Sequence, residues 1–406
     1  MEFQVLKRSY LKRNIIIAVV IVLMLTAIIL TFSRAKYRTT QSMPLIQGTI
    51  NYTLADLNIV AMYLDGSEID TLPDGNYELT EESYCTNEEN VRDETITLSY
   101  DSATKGLSVS PMMKKGTKCY LYFEDGASGG DYILAGDNAP DGETTDWTGG
   151  TTYYYTGNPN NWVQFGGFYW RIIRINGDGS IRMIYQGTSA NETGSETQIG
   201  TSAFNSSYND NMYVGFKYTS GQVHGTGTNS VILNTLNTWY QQNLADKADY
   251  IDGNAGFCGD RRVSSGTGTG TTNTHYGAYI RLVRNNNPSL QCDSGDVYTT
   301  TDSSTGNKSL QYPIGLVTAD EAALTGITYN NANTGSYLYT NSTYWTMTPS
   351  NCDSRSYVFS VISAGSLDYG WPNISTGVRP VINLRADVAL SGSGTTTDPF
   401  KVVGAS

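Results

Sequence analysis

Histidine is nearly absent from this 406-residue chain, where His224 and His275 stand alone, and none of its five cysteines forms a C-x-x-C pair. Zinc sites of the finger or ribbon type and thioredoxin-like redox centres need those spacings, so neither is written here. Neither histidine has a cysteine or a second histidine beside it, and no stretch shows EF-hand spacing; no metal and no cofactor is expected. A catalytic triad finds no support, because Asp and Ser abound and single out no partner. Charge is also scarce, at 16% of residues. The chain is rich instead in Gly, Thr, Ser, Asn and Tyr, which favours β structure with long loops.

Basic charge is missing from most of the chain. Residues 1–38 hold seven basic residues and one acid, Glu2, which leaves 19 basic against 37 acidic residues and a net charge of -18 in the remainder. Such a body repels phosphate backbones, so no nucleic-acid partner is expected. The basic head brackets the one long apolar run, "IIIAVVIVLMLTAIILTF" at 15–32, long enough at helical rise to span about 30 Å of hydrocarbon. The run reads as a single-pass transmembrane anchor after a cytoplasmic tail of residues 1–14. That places an extracellular body on the cell membrane. The other reading is a signal peptide cleaved after Ala35, and it too exports the body.

In an exported chain the simplest pairing of cysteines is Cys85 with Cys119 and Cys258 with Cys292. Cys352 is left over, and is expected as an unpaired surface thiol. After a stem at 33–45, short runs such as "TITLSY" (95–100) and "CYLYF" (119–123), separated by Asp-Gly and Lys-Gly turns, predict a small all-β sandwich over 46–125, immunoglobulin-like in outline. The Gly/Asp/Thr-rich stretch 126–150 reads as a linker. From 151 to 406 the expectation is an α+β unit. "FYWRIIRINGDGSIRMIYQG" is a hairpin turned at Asn176–Gly179. Leu233, Leu236, Tyr240 and Leu244 fall on one stripe of a helix over about 229–246. "TADEAALTG" is a second helix, with Thr318 and Glu321 in a capping box and Gly326 at its C-terminal end.

Three stretches, "FYWRIIRINGDGSIRMIY" (168–185), "YWTMTPS" (344–350) and "STGVRPVINL" (375–384), resemble a family of uncharacterised surface proteins of Firmicutes-type bacteria. Its signature pairs W-x-x-[TS]-P with G-V-R-P-x-x-x-L. The resemblance implies a C-terminal C-type-lectin-like domain, related in fold to formylglycine-generating enzymes and to the variable proteins of diversity-generating retroelements. It further implies that the segment between the two motifs projects as a recognition surface. On that reading the protein is an adhesin-like receptor for an extracellular protein or glycan ligand, and the segment is a target for retroelement diversification. An enzyme of the formylglycine-generating type would need a second cysteine beside Cys352, and a pilus-like subunit an acidic residue inside its hydrophobic segment; the sequence has neither.

Residues 351–376 mix a strand with side chains that suit recognition: Asn351, Asp353, Arg355, Tyr357, Ser366, Asp368, Tyr369, Trp371 and Asn373. Tyr and Trp give contact area at little entropic cost, Arg anchors, and Asn adapts its hydrogen bonds. Arg379, set in an apolar strand, is expected to be buried against a carboxylate.

Overall fold

The computed structural model describes residues 58–72, 77–101, 106–110, 117–126, 128–300 and 306–405. They divide into two compact units, one of residues 58–72, 80–98, 109–110 and 117–122, the other of the remaining described residues.

In the first unit the strand Lys118–Asp125 is central. Its period-two pattern buries Cys119 and Leu121 and leaves Lys118, Tyr120 and Tyr122 half-exposed. Within this unit it shares a sheet with Ser67–Ile69, Asn58–Leu64 and Tyr84–Thr86. Cys85 lies directly opposite Cys119 in that register, and the two form a disulfide. Closing a loop of this length is worth about 3 to 4 kcal/mol on the chain-entropy account. Thr97–Asp101 and Gly106–Ser110 pair only with each other. The expected sandwich is therefore corrected to one sheet and a separate hairpin.

The second unit is built on two sheets. One has eight strands, with Val381–Leu384, Ile181–Gly187, Phe168–Ile175, Trp162–Phe165, Phe400–Val402 and Leu390–Ser391 in order, and Thr151–Tyr154 and Gly142–Thr145 branching from Phe168–Ile175. The other has seven, with Thr201–Ala203, Ser375–Gly377, Tyr344–Cys352, Thr274–Tyr276 and Val263–Ser265 in order; Ser356–Val361 and Leu367–Gly370 continue from Tyr344–Cys352. "STGVRPVINL" crosses between them. Ser375–Gly377 pairs in the second sheet, Val381–Leu384 in the first, and Tyr344 meets Gly377 in parallel register. The two sequence signatures are thus neighbours.

Among the described residues, the helices Gly129–Leu134, Val231–Asn243 and Ala319–Leu324 pack on this frame, beside a shorter helical run at Gly277–Tyr279 that continues through Ile280–Arg284. Ser230 caps the second, which buries Ile232, Leu233, Leu236 and Tyr240 on one stripe. Thr318 and Glu321 form the capping box of the third, and Gly326 follows it at φ +98°.

The structure overturns several expectations. About 15% of the chain is helical and its sheets are mixed, so the α+β, C-type-lectin-like class is replaced by a mostly-β architecture. Two of the helices have only six residues, too few to form a layer of their own. The tail 1–14, the anchor 15–32 and the stem 33–45 lie outside the described residues. No helix among the described residues is long and apolar enough to cross a membrane. The membrane location is accordingly withdrawn, and what stands in its place is an oxidising environment, which the two disulfides fit.

The stretch 126–150 is not a bare linker either. It carries the helix Gly129–Leu134, whose capping box is Ser128 with Asp131, and the strand Gly142–Thr145. Its glycines are there for contact: a Cβ on Gly130 would stand 2.5 Å from the Gly179 carbonyl oxygen, and one on Gly129 would stand 2.9 Å from that of Val388.

Candidate functional site

The hairpin formed by Ser356–Val361 and Leu367–Gly370 positions most of the candidate residues. Phe359 faces Tyr369 across it, so Tyr357, Phe359 and Tyr369 share one side. The Tyr369 ring meets Tyr357 edge-on at 5.4 Å and Phe359 at 5.9 Å. It lies parallel to Tyr329 at 5.8 Å and tilts against Tyr279 at 6.2 Å. Tyr279 in turn stacks on His275 at 4.6 Å and takes a hydrogen bond on its hydroxyl from Arg284. Burial, followed by the hydrogen bond and field of Tyr329, pushes the Tyr369 phenol well up, so it stays a neutral donor and acceptor.

A second group adjoins the start of the same strand. Trp371, 36% exposed, stacks on Tyr208 at 5.4 Å, and the Arg355 guanidinium lies 4.6 Å from the Trp371 ring centre and 5.6 Å from that of Tyr208. The Tyr208 loop is pinned, because the Ser356 amide and hydroxyl both donate to the Tyr208 carbonyl, and the Asn205 amide donates to Pro372. Arg355, Ser356 and Tyr357 are consecutive, so this strand end ties the two aromatic groups together. Ile374, 47% exposed, extends the apolar surface beside Trp371.

Of the nine candidates, Arg355, Tyr357, Tyr369 and Trp371 belong to these groups. Asp353 and Asn373 are exposed and Asp368 half-exposed, with the Asp368 carboxylate accepting from the Tyr369 amide. Asn351 and Ser366 are corrections. Each is 6% exposed and closed to a ligand: Asn351 sits in the central strand and accepts from the Ser350 hydroxyl, and Ser366 lies in the hairpin turn. Tyr208, His275, Tyr279, Arg284 and Tyr329 join these groups only through tertiary contact, which no local pattern signals.

Cys352 is corrected as well: it is buried on Tyr344–Cys352, and burial raises its thiol pKa. Cys258 and Cys292 form the other disulfide. Arg379 is buried, but its guanidinium donates to the Tyr185 and Leu338 carbonyls and to the Gln186 side chain rather than to a carboxylate, and it lies over the Tyr344 ring at 4.7 Å.

Trp147, Asp260, Arg281, Gln291, Asp320 and Glu321 line a cleft. Arg281 bridges Asp260 at 2.7 Å and Asp320 at 2.8 Å, while Glu321 holds both Arg174 and Arg182. Burial pushes the Glu321 carboxyl up, but Arg182 and Arg174 outweigh it and keep it below its ordinary value. These charges neutralise one another, which marks the cleft as a structural clamp. Among the described residues no cluster of His, Cys, Asp or Glu is arranged to hold a metal.

No family model, curated protein or solved structure matches this chain.

Proposed function

We propose that this protein is an exported recognition protein that binds an extracellular protein or glycan surface through Arg355, Tyr357, Tyr369 and Trp371, with Tyr208 and Tyr329 completing the face. The observation that carries the reading is the convergence of these rings at one end of a rigid hairpin, with Trp371 left in water. Aromatic side chains with two rotatable bonds lose little entropy on binding, and an arginine stacked on them adds a directional donor. The strands beneath are fully packed, so the surface is preorganised.

Recognition without turnover fits the neighbouring groups. The thiol is buried, and the carboxylates of the cleft are all held by arginines. The test is a glycan and protein array probed with the full chain and with a Tyr357→Ala/Tyr369→Ala/Trp371→Ala variant. Signals that fall at least tenfold in the variant support the reading; equal signals remove the site.

A further inference from the structure

The solvent side of the first unit's sheet carries a row of tyrosines. Tyr63 and Tyr122 stack at 4.6 Å and 10° between ring planes, and Tyr84 and Tyr120 at 4.9 Å and 19°. Tyr120 and Tyr122 are two apart on one strand, so the pairs are offset by about 6.6 Å along it. All four side chains are half-exposed, while the alternate positions Cys119 and Leu121 point into the core. Tyr63 lies opposite Glu68, and Arg92 extends over Tyr84 at 5.2 Å.

Cross-strand ring pairs stabilise a sheet by roughly 0.2 to 1 kcal/mol each, which accounts for two pairs but not for placing both on the wet side. Sheets of this kind normally turn polar residues to water. We propose that this face is a binding site for a neutral polysaccharide. Ring faces stack on the C–H faces of pyranose rings, and the phenol hydroxyls at the rim hydrogen-bond to sugar hydroxyls. Charge selects the neutral class. Glu68 opposite Tyr63 and Glu82, whose field acts on Tyr122, flank the row with negative charge. Arg92 over Tyr84 is paired with Glu94 and Lys118 at the row's end is bonded to Asn90, and the chain beyond residue 38 carries -18, so acidic glycans are repelled. This site is separate from the hairpin surface and does not depend on it.

Affinity electrophoresis of the full chain tests the proposal, with hydroxyethyl cellulose, a galactomannan and soluble starch as neutral probes and polygalacturonate as the acidic one. The expected result is retardation by at least one neutral polymer, none by polygalacturonate, and a fivefold or greater loss in Tyr63→Leu/Tyr84→Leu. Retardation kept in Trp371→Ala and lost in the leucine variant assigns the binding to the tyrosine row. Leucine keeps an apolar strand residue while removing ring and hydroxyl, and Tyr63→Phe/Tyr84→Phe, which keeps the stacks, should retain at least half of the retardation. No retardation by any neutral polymer overturns the proposal, as does equal retardation of the leucine variant. Loss in Trp371→Ala instead would assign the binding to the hairpin.

Discussion

Glu321 shows what one side chain can hold in place. It closes a capping box with Thr318 and is the shared partner of Arg174 and Arg182, all three nearly excluded from water. Glu321→Gln would leave the buried Arg182 guanidinium without its counter-charge and Arg174 with Asp146 alone, and a loss of about 3 to 5 kcal/mol is expected by chemical denaturation. Arg379→Lys would be poorly tolerated for another reason, since an ammonium cannot reproduce the fork that spans Tyr185, Leu338 and Gln186. His224 gives a pH signature. Its Nδ1 lies 2.9 Å from the buried Asp296, and that hydrogen bond, larger than the opposing effect of burial, raises the imidazolium pKa. Burial pushes Asp296 up, but His224 and Arg261 outweigh it and hold it below its ordinary value. The His224 contribution is complete below an unfolded pKa of about 6.5 and fades as pH climbs through the raised folded value. The Asp296 contribution is complete above about 3.9 and fades as pH falls through its lowered value. Thermal unfolding should therefore show greatest benefit from this pair between about pH 4 and 6.5. His224→Gln should flatten that profile; an unchanged profile would refute the assignment.

Elements were legible where local chemistry decides them. The Thr318–Glu321 box, the Leu233–Tyr240 stripe and the turn at Asn176–Gly179 each depend on residues a few positions apart, and each formed as expected. The helix Gly129–Leu134 was hidden for a physical reason. Two glycines lower helix propensity, and the close backbone approach that requires them is invisible in sequence. Gly130→Ala should therefore destabilise the protein, by about 1 to 3 kcal/mol as overpacking typically does, although alanine favours helix; a stabilised variant would show that the approach is not tight. Ser128→Ala, which removes the cap alone, should cost about 1 kcal/mol in the same measurement. The candidate site was half legible. Tyr357, Tyr369 and Trp371 lie in one bracketed segment, whereas Tyr208 and Tyr329 arrive from loops whose course only the folded chain fixes.

Across the molecule, most charged side chains face water, but a minority is buried in clamps within the second unit. Four arginines, Arg171, Arg174, Arg182 and Arg379, stand inside the second unit on or beside its eight-stranded sheet, an arrangement that alternation alone would not foretell. The two sequence signatures converge as Tyr344 meets Gly377, and the segment between them carries Tyr357 and Tyr369, half-buried, and Trp371, exposed, at one hairpin. Hydrogen–deuterium exchange of the full chain, with and without a ligand found by the array, tests this most directly. The account requires slowed exchange in peptides covering Arg355–Trp371 and the Tyr208 loop. Protection confined to other parts of the chain, with these peptides unchanged at saturation, would contradict it.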